Sequence, residues 1–352
     1  MKNNIKDFSK YNTPKRWLIT VTSLLFLLFI SVLVSVSVGT VKIPFQQVMI
    51  VIWNGIAGIH QNSLYSKIIL QLRLPSIIMA VIVGVALSSS GASLQGLFRN
   101  PLIDPYILGI SAGAAFGAAL SITMGIDSYQ SFYYLPISAF IGAIIAVTMV
   151  YGLSYSHGEV SNSNLIFGGI AVGYIFSAIV SFLMFVSGPH LQELIYWLLG
   201  SFSDALWGEI DLILMPVIIS VFILFYFSKE LNLLTGGEDL AAATGVNLKL
   251  TKNMIIFITT LLTAIAVSMS GIIGFVGLVI PHIMRRIVGN DYRILIPTSA
   301  IGGAILLVIS DTIARTIISP VIVPVGVVTS FIGAPFFIYL FRRSLKRMEV
   351  SI

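Results

Sequence analysis

The chain has 352 residues, of which 57% are hydrophobic and only 10% charged, with a net charge of +6 and no cysteine. A soluble core could not hide so much apolar surface, and apolar runs of about eighteen residues or more recur along the whole length, as membrane spans require. The missing cysteines exclude disulfides, thiolate metal ligands and cysteine nucleophiles, and basic residues confined to short loops and termini argue against a nucleic-acid partner.

Residues 1–16 form a basic tail, and the first apolar run follows at 17–38. That run is long and lacks a small-residue cleavage pattern, so it reads as a retained span rather than a signal peptide. Hydropathy and helix breakers then predict spans at 74–97, 105–124, 134–155, 165–186, 210–227, 254–269, 275–288, 294–318 and 325–341. The run at 275–288 is short and carries Pro281 and His282, so hydropathy alone admits nine spans as well as ten. A further apolar piece, 191–199, is too short to cross and reads as re-entrant or interfacial. A tail at 342–352 closes the chain.

Charge decides the count. With the N-terminus inside, sixteen of the twenty basic residues fall on the inner side, and only Lys42, Lys67, Arg73 and Arg315 lie outside. Such a bias needs an even number of spans. The fold class expected is an all-α polytopic membrane protein: a single transmembrane domain, residues 1–352, of ten helices, N-in and C-in. Gly84, Gly91, Gly113, Gly117, Gly169 and Gly303 enrich these spans in small residues, which let helices approach closely where lipid provides no hydrophobic drive to associate.

The longest inner loop, 229–252, contains Thr235, Gly236, Gly237, Glu238, Asp239, Leu240, Ala241 and, further on, Gly245. Thr235 and Glu238 have capping-box spacing, the two acids suit a first helical turn, and Gly245 is placed to end the helix. So short a helix is not stable alone and needs a surface to dock on, either its own bundle or a cytosolic partner. The chain has no phosphate-binding loop, so energy for pumping would come from another subunit or an ion gradient.

Ionisable residues within spans are few. Asp311 and Arg315 are four apart, a spacing that pairs them on one helix face, as a structural pair or as the coupling acid of an ion-driven transporter. His60, His157, His190 and His282 show no metal-ligand spacing, and no nucleophile elbow is present, so no metal site and no intramembrane hydrolase are expected.

Ordered motifs carry a family resemblance. Arg73-Leu74-Pro75, Leu94-Gln95-Gly96, Arg99-Asn100-Pro101-Leu102, Asp104-Pro105 and Leu108-Gly109-Ile110-Ser111-Ala112-Gly113 stand in the first half. In the second half stand Gly274-Phe275-Val276-Gly277, Ile280-Pro281-His282, Asp311-Thr312-Ile313-Ala314-Arg315 and Gly333-Ala334-Pro335-Phe336. The run resembles the FecCD-type permeases, membrane subunits of type II ABC importers for iron(III)-siderophores, haem and vitamin B12 in the bacterial cell membrane.

The resemblance implies a transport subunit that is not itself an enzyme and binds no cofactor, with ATP-Mg held by two cytosolic ATPase subunits. It also implies a second permease subunit, the same chain or a paralogue, and an extracytoplasmic substrate-binding protein. Thr235 to Gly245 then correspond to a coupling helix seated in the ATPase. Arg73 and Arg315 match arginines that dock the binding protein, and Lys67 is expected to help because Ser76 stands where a second arginine is often found. Asn100 and Leu102, with Asn162 and Ser163, correspond to the cytoplasmic gate. Iron-siderophore is the expected cargo, with haem or cobalamin as alternatives.

Overall fold

The computed structural model describes residues 14–58, 63–125, 133–156 and 159–349. Its helices are α1 (Pro14–Ser37), α2 (Phe45–Ile56), α3 (Leu64–Leu97), α4 (Ile110–Thr123), α5 (Tyr134–Ser154), α6 (Asn162–Val186) and α7 (Leu191–Leu199). They continue as α8 (Trp207–Tyr226), α9 (Ser228–Thr235), α10 (Glu238–Ala243), α11 (Leu248–Ser270), α12 (Val276–Val288), α13 (Tyr292–Thr316) and α14 (Val325–Glu349). A two-residue antiparallel ladder, Tyr155 with Val160 and Ser156 with Glu159, bridges α5 to α6.

Among the described residues seven helices are long and apolar enough to cross a membrane: α1, α3, α5, α6, α8, α11 and α13. Each of the ten predicted spans falls on a helix, but α4 and α12 have 14 and 13 residues. At 1.5 Å per residue they reach only about 20 Å, short of a hydrocarbon core of roughly 30 Å. The 3-10 turn Pro105–Leu108 lengthens the α4 segment. The apolar piece 191–199 is the separate helix α7, amphipathic and anchored by the buried Leu194.

Two features depart from the sequence reading. Helix α3 starts ten residues before the predicted span, because the Arg73-Leu74-Pro75 break is absorbed by a π-helical stretch, Ile68–Arg73. There the Leu74 N–H reaches back five residues to Ile69, so the missing Pro75 N–H does not interrupt the helix. Helix α2 was not foreseen. Its face of Val48 and Val51 is buried while Phe45, Met49 and Trp53 are exposed, the pattern of a helix lying at an apolar–polar boundary.

Helices α3, α11 and α13 form the centre, and α1 and α6 lie at the margin with large apolar side chains such as Phe26, Phe167 and Phe185 outward. The centre is small and hydroxyl-rich: Ser88, Ser89, Ser90 and Ser93 on α3, Thr259 and Thr263 on α11, and Thr298 and Ser299 on α13 are buried. Ser93, Thr259, Thr263 and Thr298 donate to carbonyls four residues back, which satisfies their hydroxyls without a partner helix. Close backbone approaches do the joining. Gly84 lies against Gly303, Gly91 against Gly277, and Gly113 against Gly142, each so near that a Cβ would overlap the facing backbone.

Candidate coupling segment and gate turn

Helix α3 ends where the Arg99 and Asn100 N–H groups fold back onto the carbonyls of Gly96 and Gln95. Arg99 occupies the left-handed region at φ 50°, a position usually left to glycine, so its side chain is kept there against a backbone cost. The turn that follows is held by two local caps. Asn100 Oδ1 accepts from the Leu102 N–H at 3.0 Å, and Asp104 Oδ1 accepts from Tyr106 at 2.8 Å. Burial pushes the Asp104 carboxyl up to about 6, against the lowering effect of that backbone N–H. The Tyr106 hydroxyl donates to Ile273 O and so ties the turn to the start of α12.

Gln95 lies beneath this turn, in the last turn of α3, and is 1% exposed. Its Nε2 is 3.4 Å from Ile103 O and 3.3 Å from both Gly277 O and Leu278 O. Arg285 on α12 donates through Nη2 to Gln95 Oε1 and to the Tyr292 hydroxyl, each at 3.3 Å. Tyr292 opens α13, where Asp291 caps the Arg293 N–H. Burial would raise the Asp291 carboxyl, but bonds from Arg293 and Asn232 outweigh it and hold the group below its ordinary value.

The coupling segment differs from its prediction. Thr235 does not cap a following helix: it ends α9, its hydroxyl donating back to Asn232 O. The chain breaks at Gly236 and Gly237, the latter at φ 125°, and α10 begins at Glu238 with no side-chain cap. The expected capping box therefore does not form, because Glu238 is drawn elsewhere. It accepts from Lys252 on α11 at 2.6 Å and lies 3.9 Å from Arg99. Ala241 is fully buried and seats α10, while Asp239, Leu240 and Gly245 are exposed. Gly245, at φ 87°, ends the element as expected.

Two groups of residues that the sequence offered separately thus meet. Arg99, beside Asn100 and Leu102, is bridged to Glu238 of the coupling segment. Asn162 and Ser163, at the start of α6, are not brought to the turn by any described bond; α6 packs on the 3-10 stretch two turns further on, through Gly169 against Ile107.

At the opposite end of α3 the expected docking arginines are buried. Arg73 donates to the carbonyls of Val36 and Val41 and is 5% exposed. Arg315 is 7% exposed, pairs with Asp311 at 2.7 Å, and donates to the Ser35 hydroxyl. These guanidiniums brace the chain around Gly39, Arg315 as one half of an ion pair and Arg73 on backbone carbonyls alone. Ser76 is also internal, donating to Phe202 O. Lys67, by contrast, is exposed.

The His282 ring stands edge-on to Phe336. His60 and His157 lie outside the described residues, and among those described no three His, Asp or Glu gather as a metal site. Gln95, Asn232, Lys252, Arg285 and Tyr292 escaped the sequence reading. Gln95 lay within a quoted motif, but nothing in the spacing joined it to a residue 190 positions away.

A multi-pass bundle whose small residues allow backbone contact, with a short solvent-facing segment bridged to a turn between spans, defines a polytopic membrane protein of the transporter kind. The chain belongs to the FecCD transport family, whose sequence profile matches residues 27–343. It is 38% identical to the hemin transport system permease protein of Yersinia pestis, covering 92% of this chain and 95% of that protein. With the cobalamin import system permease protein of Halobacterium salinarum identity is 42%, over 77% of this chain and 72% of the relative. Among solved structures, an inward-facing metal-chelate type ABC transporter matches with a TM-score of 0.80 and 33% identity, covering 92% of this chain and 98% of that one.

Proposed function

We propose that this chain is the membrane-spanning permease subunit of an ATP-driven importer that carries an iron(III)-siderophore inward across a bacterial cell membrane. The observation that carries the reading is the bridge from Glu238 to Arg99, which joins a solvent-facing segment to the turn between two spans. A cytosolic ATPase gripping Asp239, Leu240 and Gly245 would move Glu238 with them, and through it the turn at Asn100 and Leu102. The chain then performs no chemistry itself; ATP-Mg is bound by two partner ATPase subunits. A second permease subunit completes the path, ten spans each with both termini inside, and an extracytoplasmic binding protein delivers the cargo.

The ion-coupled alternative needs Asp311 to take up and release an ion or proton. Its carboxylate is already committed to Arg315, and both groups are buried. Haem and cobalamin remain rival cargoes, since the relatives named above handle each of them.

The test is uptake into proteoliposomes holding this chain with its co-expressed ATPase and binding protein. Ferric hydroxamate, ferric catecholate, haem and cobalamin are offered in turn. ATP-dependent accumulation of a ferric siderophore is expected. Accumulation of haem or cobalamin alone would replace the cargo, and uptake that survives without ATP but collapses with an uncoupler would replace the mechanism.

A further inference from the structure

We infer that Gln95 and Arg285 are a positioning pair through which movement of the coupling segment reaches the turn at residues 99–104; this rests on reading that turn as the gate. The Gln95 amide has two hydrogens, yet three carbonyls lie within its reach: Ile103 O in the turn, and Gly277 O and Leu278 O in the first turn of α12. All three lie at 3.3–3.4 Å, the long end of the hydrogen-bond range, so none dominates. A sub-ångström shift therefore exchanges a bond to the turn for one to α12 without leaving a donor unmade. That gives the amide two arrangements of similar energy, which is what a transmitted switch needs.

Arg285 sets the amide's orientation by donating to Oε1, which leaves Nε2 toward the three carbonyls. Among the described residues no carboxylate pairs with Arg285, and its Nε is buried without a partner. Its remaining contacts are the Tyr292 hydroxyl and ring, the ring centroid 5.9 Å away. A cation held only by neutral groups follows those groups when they move. Tyr292 in turn is gripped from the coupling side: its N–H donates to Asn232 Oδ1, and Asn232 donates to Asp291, both at 2.9 Å. Asn232 lies on α9, immediately before α10.

The route runs from α9 through the start of α13 and the last turn of α12 to the end of α3. It differs in kind from the Glu238–Arg99 bridge, whose side chains are 34% and 46% exposed and whose attraction salt screens. The internal route has little exposure to screening, so it persists at high ionic strength.

Because the chain has no cysteine, Leu102→Cys gives a single reporter in the turn. The complex with its co-expressed ATPase is reconstituted, and the maleimide labelling rate is read with and without ATP-Mg and vanadate in high salt, alongside ATP hydrolysis. The parent is expected to change its labelling rate on nucleotide binding. In Gln95→Leu that change should fall about tenfold while ATP hydrolysis without vanadate persists. Asn232→Ala breaks the same route at its half-buried end, in case the buried substitution prevents folding, and should show the same loss. A parental response in either folded variant overturns the inference while leaving the gate reading intact. If the parent itself shows no nucleotide response, the gate reading falls and the inference with it.

Discussion

Arg73 and Arg315 show how a residue's surroundings redefine it. Both stand in motifs where the family resemblance implies a charge offered to a partner, and each also bonds within the chain. Arg73 alone satisfies two backbone carbonyls, Val36 O and Val41 O, that bracket the bend after α1. Its removal would leave the Val36 carbonyl unpaired beside a buried residue, at a cost of about 1–3 kcal/mol, whereas Val41 is exposed and its carbonyl can turn to solvent. Arg73→Glu would add a carboxylate facing carbonyl oxygens. It should lower the thermal midpoint of the detergent-solubilised protein by several degrees. Lys67→Glu, at an exposed site, should leave the midpoint unchanged and weaken binding-protein docking instead. A stable Arg73→Glu protein with weakened docking would restore the role first expected from the motif.

At the scale of the element, glycine positions separate those that join helices from those that do not. An alanine in place of glycine gains helix propensity, up to about 1 kcal/mol. At Gly91 its Cβ would overlap the Gly277 backbone, which cannot rotate away as a side chain could. Overpacking of that kind costs about 1–3 kcal/mol, so the clash wins. Gly91→Ala should therefore lower the thermal midpoint and separate α3 from α12, whereas at Gly173 an added Cβ meets nothing within 4 Å and Gly173→Ala should leave the midpoint unchanged or raise it slightly. Equal effects at the two positions would mean that propensity, not packing, decides.

The same scale shows what could be read from residues alone. Long apolar runs declared α1, α3, α5, α6, α8, α11 and α13 because twenty apolar residues have few other solutions in a chain this poor in charge. The start of α3 was missed because a proline reads as a break unless a π-turn upstream removes the need for its N–H. The capping box failed for a related reason. Local spacing proposed a bond within one turn, while Lys252, fourteen residues away, offered Glu238 a full charge. Sequence reasoning held where the deciding interaction was local and failed where it was brought from another helix.

For the whole molecule the deciding quantity is the placement of charge along the axis of α3. Arg73 and Arg99 are twenty-six residues apart on nearly continuous helix, roughly 39 Å at 1.5 Å per residue, enough to put them on opposite sides of a hydrocarbon core. On the Arg99 side the structure gathers Glu238, Lys252, Arg285 and Arg293 around the ends of α3, α10, α11 and α13. The other side has Lys42 and Lys67 exposed and two arginines sealed by Asp311 and backbone carbonyls. The Arg99 end also carries the exposed Lys229, Lys249 and Arg286, and the positive-inside rule predicts that this end faces the cytoplasm. The natural absence of cysteine makes the assignment directly measurable. In intact cells, or in spheroplasts if an outer membrane intervenes, a membrane-impermeant maleimide should label Lys67→Cys and spare Leu240→Cys, which is 53% exposed and reacts only after permeabilisation. Labelling of Leu240→Cys in intact cells would invert the molecule. The segment bridged to the turn would then face away from any ATPase, and the proposed coupling would have no source of energy.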